Sequence, residues 1–263
     1  MKSSLPPKCL AAMIAVPPLP GSPLYQNNSK LILSQVLSDL AIYQSAKVDA
    51  IVLENSYDLP YIKPPLPQEA VGLMTQIARE VRRRFPGPIG LQLLEAANET
   101  ALEIAAEAKL NFIRVESYVY AHVGGAGLIE GCAGKLLRKR KKMGCETIRV
   151  FADIKKKHCS HALTADLDIT DEAKQAEFFL ADGLIITGPR TGEAPDVKEL
   201  KRVRKATRLP IFLGSGMTPE NISTYFLLAD GFIIGSTFRK NGDFLGKLEP
   251  SRLKKFVKKF RTL

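Results

Sequence analysis

Eight short apolar runs, each followed by a segment with helical spacing, constrain the fold of this chain more than any other feature. The runs are rich in Val, Ile and Leu and lie at 10–16, 50–54, 89–94, 112–115, 148–154, 184–187, 211–214 and 232–235. Strands that are apolar throughout are typical of a parallel sheet buried on both faces. Parallel strands need crossover connections, and a helical segment follows every run.

The helical segments complete a regular strand–helix order. They are predicted at 29–46, 67–84, 99–108, 129–143, 171–180, 197–206, 219–228 and 250–260. Eight such units in 263 residues predict an α/β fold with a single (β/α)8 TIM-type barrel. No low-complexity linker divides the chain, so we expect one domain over residues 1–263.

Composition narrows the cellular setting. Hydrophobic residues make up 45% of the chain, which is enough for one large core. No apolar run reaches the length of about 18 residues that a membrane span needs. The four cysteines form no C-x-x-C pair and are interpreted as reduced thiols, and the N-terminus is a poor match to a signal peptide. We therefore expect a cytoplasmic protein.

The formal net charge of +11 raises the question of an anionic partner. The basic residues lie mostly in helical segments, so solvated outer faces are the interpretation we favour. The basic runs at 138–142 and 250–260 leave open a peripheral membrane or protein partner, and an oligomer is also possible. Tryptophan is absent and aromatic residues make up 7%, so we expect no stacking platform for single strands and no specific nucleic-acid partner.

Glycine-rich loops follow the last three predicted strands. In a barrel of this kind, the loops after strands seven and eight frequently bind phosphate. Thr218 is a good N-cap and Pro219 suits the first position of a following helix, whose N-terminus would attract an anion. We predict that a small anionic, phosphorylated ligand binds here through Gly188, Gly214, Ser215, Gly216, Gly235 and Ser236.

The fifth predicted strand ends in a second candidate constellation. Asp153 can act as a base, His158 can relay protons, and Lys157 can offset negative charge. The alternative is a solvated lysine-rich loop with Asp153 in a structural hydrogen bond. Glu54, after the second strand, is a further catalytic candidate, although it could instead form a structural pair with Arg114.

A metal site is considered for the run His158-Cys159-Ser160-His161. Its spacing is short and it has no partner pair elsewhere, since His122 is the only other histidine. We therefore predict no metal site. The sequence identifies no cofactor.

Several motifs together resemble the BtpA family over nearly the whole chain. They are MIAVPPLPGSP (13–23), VDAIVLEN with Asp58 and Pro60 (48–60), FIRV followed by GLIEG (112–131), AD with KH (152–158), ADGLIITGPRTGEAP (181–195), LGSGMTPEN (213–221) and ADGFIIGSTFRKNGD (229–243). The resemblance implies a fold like that of the ribulose-phosphate-binding barrels, with phosphate held by the glycine loops. It also implies a sugar-phosphate or nucleoside-like ligand, and in the cyanobacterial branch a role in photosystem I accumulation.

The chain departs from the family pattern in the first half of the predicted mouth. Ala15 stands where relatives commonly have a histidine, and Leu94 and Glu95 stand where relatives commonly have an arginine-asparagine-type polar group. Gly124, Gly125 and Ala126 replace more polar residues. We therefore expect few polar groups there and favour binding over catalysis. Two hypotheses follow: an enzyme or former enzyme acting on a phosphorylated compound, or an assembly protein that uses its basic exterior.

Overall fold

A computed structural model describes residues 5–263 of the chain. Eight parallel strands close into a barrel in the order β1-β10-β9-β8-β7-β4-β3-β2, and β5 and β6 form a separate hairpin. This confirms the predicted (β/α)8 barrel. The strands are β1 (Cys9–Ala15), β2 (Ala50–Glu54), β3 (Ile89–Gln92), β4 (Phe112–Val115), β5 (His122–Gly124), β6 (Gly127–Ile129), β7 (Arg149–Ile154), β8 (Gly183–Ile186), β9 (Ile211–Leu213) and β10 (Gly231–Ile234).

In the described part of the chain, eight α-helices alternate with the barrel strands. They are α1 (Ser29–Ser45), α2 (Gln68–Arg84), α3 (Asn98–Glu107), α4 (Ala133–Lys142), α5 (Ile169–Phe178), α6 (Val197–Ala206), α7 (Ile222–Tyr225) and α8 (Pro250–Phe260). The helix predicted over 129–143 begins later, because residues 127–129 form the second strand of the hairpin. Among the helices of residues 5–263, none is both long enough and apolar enough to cross a membrane.

The helix predicted over 219–228 is reduced to the four residues of α7, and Thr218 is not its N-cap. Thr218 Oγ1 instead accepts hydrogen bonds from the amides of Glu220 and Asn221. The Asn221 side chain accepts from the Thr218 amide at 2.8 Å and donates to the Gly216 carbonyl at 2.8 Å. These side chains hold the segment in a polar turn, so the prediction of a helix that begins at Thr218 and Pro219 is wrong.

Phenylalanines fill the barrel interior. The ring of Phe151 on β7 packs edge-on against Phe112 and Phe212, with centroid distances of 5.4 and 5.0 Å. Beside each ring, on a neighbouring strand, is a glycine at which a Cβ would lie within 2.4 Å of the ring: Gly90, Gly183 and Gly231. Because side chains fill the interior, a ligand site inside the barrel is excluded, and the mouth above the carboxyl ends of the strands is the usual place for one.

The helices cover the barrel with their apolar faces. In α8, Leu253, Phe256 and Phe260 are buried while the lysines between them are exposed. The apolar stripe predicted over 250–260 therefore packs on the barrel, and the basic residues form the outer surface of this helix.

Candidate functional site at the barrel mouth

The mouth contains a cavity of about 260 Å³. Every barrel strand contributes lining residues, either from its carboxyl end or from the loop that follows it. Predicted residues that line it are Glu54, Lys157, His158, Gly214, Ser215, Gly216, Gly235 and Ser236. Asp153 lies just below, buried beneath the floor, and Gly188 lies behind the loop after β9.

Two of the predicted phosphate-binding glycines use their amides inside the protein. The Gly214 amide donates to the Ile186 carbonyl at 2.9 Å, which extends the β8–β9 pairing. The Gly188 amide donates to Ser215 Oγ at 3.2 Å, and that hydroxyl donates to the Glu193 carbonyl at 3.2 Å. Gly188 and Gly214 therefore shape the loop rather than offer donors to a ligand.

Four other loop amides remain free. Within residues 5–263, the amides of Ser215, Gly216, Gly235 and Ser236 donate no hydrogen bond to a backbone or side-chain acceptor. They come from the loops after β9 and β10, which are tied together because Thr237 Oγ1 donates to the Met217 carbonyl at 2.7 Å. All four residues line the mouth cavity, and backbone amides without a protein acceptor at adjacent strand ends favour an anion.

Gly216 is required by the backbone of this loop. Its φ is +75°, in the left-handed region that glycine tolerates best. A Cβ there would also lie 2.1 Å from the carbonyl carbon of Glu193. Glycine thus permits the segment after β8 to close over the segment after β9, and this contact shapes one wall of the cavity.

Arg239 adds a positive charge beside the free amides. Its side chain is buried, lines the cavity and lies over the Tyr57 ring, 5.5 Å from its centroid. Nη1 donates to the Gly246 carbonyl at 2.9 Å, whereas Nη2 has no partner among the residues that the structure describes. A buried guanidinium nitrogen without an acceptor is costly, and a bound oxyanion would satisfy it.

Arg114 and Asp153 form a buried ion pair in the floor of the mouth. Arg114 Nε and Nη2 donate to the two Asp153 oxygens at 2.8 and 3.0 Å, and Nη1 lies 4.0 Å from Glu54 Oε2. Burial opposes the charge of Arg114, but Asp153 raises its pKa above the usual range. The sequence suggested Glu54 as the partner of Arg114; Asp153 is the closer one. Both oxygens of Asp153 are thereby engaged.

Lys157 is a cation without a fixed partner. No hydrogen bond or ion pair of its amine is found in the described part of the chain, and the side chain lines the cavity. Burial and the nearby Arg114 charge lower the pKa of Lys157 to about 8. The amine is therefore available to a ligand and titrates close to neutral pH.

His158 points to a different neighbour from the one that the sequence suggested. Its residue is exposed, and Nε2 lies 2.9 Å from Thr191 Oγ1 in the loop after β8. Partial burial and the lysines beside it lower the pKa of His158. Within residues 5–263 no hydrogen bond joins it to Asp153, so the structure does not assemble Asp153 and His158 as a pair.

The first half of the mouth is polar, which corrects the expectation from the departures at 94–95 and 124–126. Lys156 Nζ lies 3.0 Å from both Glu95 Oε1 and Glu116 Oε1. Glu116 also accepts hydrogen bonds from Gln92 Nε2 at 3.0 Å and from the Ala96 amide at 2.8 Å. Burial raises the pKa of Glu116 to about 7, against the pull of Lys156. Sequence reasoning missed this cluster because its members come from three different loops.

The run at 158–161 does not gather its own histidines around one point. Instead, Cys159 lies near His122 and Glu95, whose potential metal-binding atoms are all within 4.8 Å of one another. No spacing in the sequence signals this arrangement.

Comparison with known proteins agrees with the motifs. The BtpA family model matches residues 7–262. A mitochondrial protein of Caenorhabditis elegans is 41% identical over 256 residues, which cover 95% of this chain and 92% of that protein. Photosystem I biogenesis protein BtpA of Synechocystis is 30% identical over 243 residues, or 91% of this chain and 83% of that protein.

Solved structures with the same fold include enzymes. Thiamine phosphate pyrophosphorylase from Pyrococcus furiosus aligns with a TM-score of 0.61 at 11% identity, covering 99% of this chain and 98% of that chain. KGPDC from Streptococcus mutans aligns with a TM-score of 0.61 at 13% identity, covering 98% of this chain and 99% of that chain. N-(5'-phosphoribosyl)anthranilate isomerase from Pyrococcus furiosus aligns with a TM-score of 0.59 at 13% identity, covering 97% of this chain and 100% of that chain. At these identities the likeness concerns the fold alone.

Proposed function

This chain belongs to the BtpA family, and from that premise we propose that its barrel mouth binds a small phosphorylated compound, a sugar phosphate or a nucleoside-like ligand. The observation that carries the proposal is that four loop amides and Arg239 Nη2, all without a partner among the described residues, belong to residues that line one cavity. Donors left unpaired in a partly enclosed site are costly to the folded protein unless a ligand or water accepts from them.

The phosphate end of the ligand would occupy the loops after β9 and β10. Backbone amides of Ser215, Gly216, Gly235 and Ser236 would donate to its oxygens, and Arg239 would supply a charge-assisted hydrogen bond. Gly188 and Gly214 would contribute indirectly, by holding the loop in place through their internal hydrogen bonds. The fold neighbours named for thiamine phosphate and phosphoribosylanthranilate support a phosphorylated ligand class.

The rest of the ligand would face the floor of the cavity, where Glu54, Arg114 and Lys157 meet. Hydroxyl or carbonyl oxygens would accept from Lys157, and Glu54 would accept from a ligand hydroxyl. Asp153 would fix the orientation of Arg114 rather than abstract a proton, since both its oxygens accept from that residue. If the protein is an enzyme, the partnerless amine of Lys157 is its best acid–base candidate, and His158 would act only after moving from Thr191.

An assembly role without catalysis is the second candidate. The relative called Photosystem I biogenesis protein BtpA favours it. The basic surfaces of α4 and α8 would be the contact region for a protein partner or an anionic membrane, and the cytoplasm would be the compartment. Ligand binding at the mouth distinguishes the two candidate functions, since only the first requires a bound phosphate compound.

A thermal-denaturation panel tests the proposal. Inorganic phosphate, ribose 5-phosphate and nucleoside monophosphates are compared with ribose and the matching nucleosides. A ligand present at a hundred times its Kd stabilises the folded state by about 2.7 kcal/mol, so the correct phosphorylated class raises Tm by several degrees. The Gly216→Asp variant, which places a carboxylate in the loop, loses the shift. No shift with any phosphate compound contradicts the proposal.

A further inference from the structure

Three loops of the mouth bring together a set of side chains that the phosphate site does not use. Glu95 follows β3, His122 begins the hairpin after β4, and Cys159 lies in the loop after β7. Their nearest nitrogen, sulfur and oxygen atoms are all within 4.8 Å of one another. We propose that Glu95, His122 and Cys159 bind a divalent transition-metal ion of the zinc class at the edge of the mouth. This site goes beyond the proposed function and does not depend on it.

His122 gives the strongest indication of a missing ligand. The residue is buried, with 4% of its surface exposed, and its Nε2 has no hydrogen-bond partner in the described structure. Nδ1 lies 2.8 Å from Ser117 Oγ, which fixes the orientation of the ring. A histidine held at one nitrogen and free at the other is the usual arrangement of a metal ligand and its supporting residue. A buried ring nitrogen without a partner otherwise costs stability.

Backbone pairing positions Cys159 beside His122. The Val123 amide donates to the Ser160 carbonyl at 3.1 Å, and the Ser160 amide donates to the Val123 carbonyl at 2.8 Å. This antiparallel bridge fastens the hairpin to the loop after β7. The cysteine is a free thiol, and its residue is only partly buried.

Glu95 is held in place from two sides. Its Oε2 accepts from the Ala126 amide at 2.7 Å, and its Oε1 lies 3.0 Å from Lys156 Nζ. The hairpin backbone packs directly on the carboxylate, since a Cβ at Gly124 would lie 2.2 Å from Oε1. Each carboxylate oxygen retains a lone pair after these contacts, so the group can also coordinate an ion.

The surrounding charges balance a divalent ion. Glu95 and a metal-bound Cys159 thiolate carry two negative charges, which match the two positive charges of the ion. Lys156 lies between Glu95 and Glu116, so it offsets the negative charge that remains after the ion is bound.

The donor set determines the kind of ion. Nitrogen and sulfur ligands favour Zn²⁺ and its neighbours in the transition series, whereas Mg²⁺ and Ca²⁺ prefer oxygen alone. Ligand atoms around tetrahedral zinc lie about 3.5 Å apart, so the three side chains need to close by only about 1 Å. Three protein ligands leave one coordination position open, and Glu95 also lines the mouth cavity.

Cobalt titration of the purified, reduced protein tests the site. We expect Co²⁺ to bind at one equivalent with a sulfur-to-cobalt charge-transfer absorption, and Zn²⁺ to displace it. Cys159→Ser removes the charge-transfer band. Ser117→Ala, which removes only the support of His122, weakens affinity by about 10–100-fold. Cys132→Ser, a change in another partly buried free cysteine, leaves both readouts unchanged.

Two results would overturn the metal site. One is a protein that takes up no Co²⁺ or Zn²⁺ at millimolar concentration while its circular dichroism and unfolding curve show it to be folded. The other is uptake with the same band and affinity in Cys159→Ser and His122→Asn. The Gly216→Asp variant keeps metal binding if the site is as proposed, so failure of the phosphate site and failure of the metal site are distinguishable.

Discussion

Arg114 and Asp153 share two hydrogen bonds, of 2.8 and 3.0 Å, with at most 4% of either side chain exposed. The pair joins β4 to β7 beneath the cavity. Breaking such a pair on one side leaves an uncompensated buried charge. Its main consequence should therefore be seen in stability.

Replacing Asp153 by Asn is expected to lower the free energy of unfolding by about 3–5 kcal/mol, since Glu54 at 4.0 Å compensates Arg114 only in part. Urea denaturation followed by circular dichroism measures it. The control is Glu220→Gln, which removes the exposed partner of Lys255 and should cost less than about 1 kcal/mol. Equal, small losses in both variants would mean that the buried pair is not a stabilising element.

Gly216 is expected to be intolerant of a side chain. The Gly216→Ala variant has an unfavourable positive φ, and its Cβ collides with the backbone at Glu193. We therefore expect its stability to fall and its affinity for inorganic phosphate to drop at least tenfold. Gly144→Ala is a matched control, because Gly144 also has a positive φ but has open space around its Cβ. That variant should lose only about 1–2 kcal/mol of unfolding free energy, which is the cost of a non-glycine residue in the left-handed region, and should keep phosphate binding. Indistinguishable variants would remove Gly216 from the site.

Glu116 should make stability fall as pH rises toward neutrality. Burial raises the pKa of Glu116 to about 7 in the folded protein, whereas the unfolded chain loses this proton near pH 4.5. Between these values the folded state holds more protons than the unfolded state, so the contribution of this group is complete below about pH 4.5 and is lost by about pH 7. Urea unfolding of the wild type and Glu116→Gln across this range checks the sign.

The test for Glu116 is how the difference in unfolding free energy between Glu116→Gln and wild type changes with pH. Its size at any one pH is not informative, because the substitution also weakens the contact with Lys156. The difference between variant and wild type should shift in favour of the variant with increasing pH. Two curves that run parallel between the unfolded and folded pKa values would show that Glu116 does not titrate there.

Gly183 and Phe151 should be energetically coupled inside the barrel. A Cβ at Gly183 would lie 2.4 Å from the Phe151 ring, so Gly183→Ala is expected to cost about 1–3 kcal/mol through overpacking. Phe151→Leu alone leaves a cavity and also destabilises. In the double variant the alanine methyl partly fills that space, so the combined loss should be smaller than the sum of the two. Additive losses would contradict the packing of this glycine against the ring.

The barrel could be predicted because its signal is local. Apolar runs and helical spacing repeat along the chain, and each unit can be recognised without knowing its neighbours. The turn at 216–221 could not be predicted, because the hydrogen bonds of Asn221 with Thr218 and Gly216 compete with helix formation. N-cap preference alone does not reveal this competition.

The site depends on partners that are distant in sequence. Arg114 meets Asp153 because β4 pairs with β7, with a whole hairpin and helix between them in sequence. His122 meets Cys159 only because Val123 pairs with Ser160. The sequence could mark the glycines after β9 and β10 only as candidates for phosphate binding, because which amides are free follows from hydrogen bonds that only the folded backbone shows.

The phosphate loops are tested most directly by following backbone amides in a ¹H–¹⁵N correlation spectrum during titration with inorganic phosphate and then ribose 5-phosphate. If these loops bind phosphate as proposed, the amides of Ser215, Gly216, Gly235 and Ser236 show the largest saturable shifts, while those of Gly188 and Gly214 move little. Shifts confined to the lysine-rich faces of α4 and α8, with the four loop amides unmoved at saturating phosphate, would contradict it.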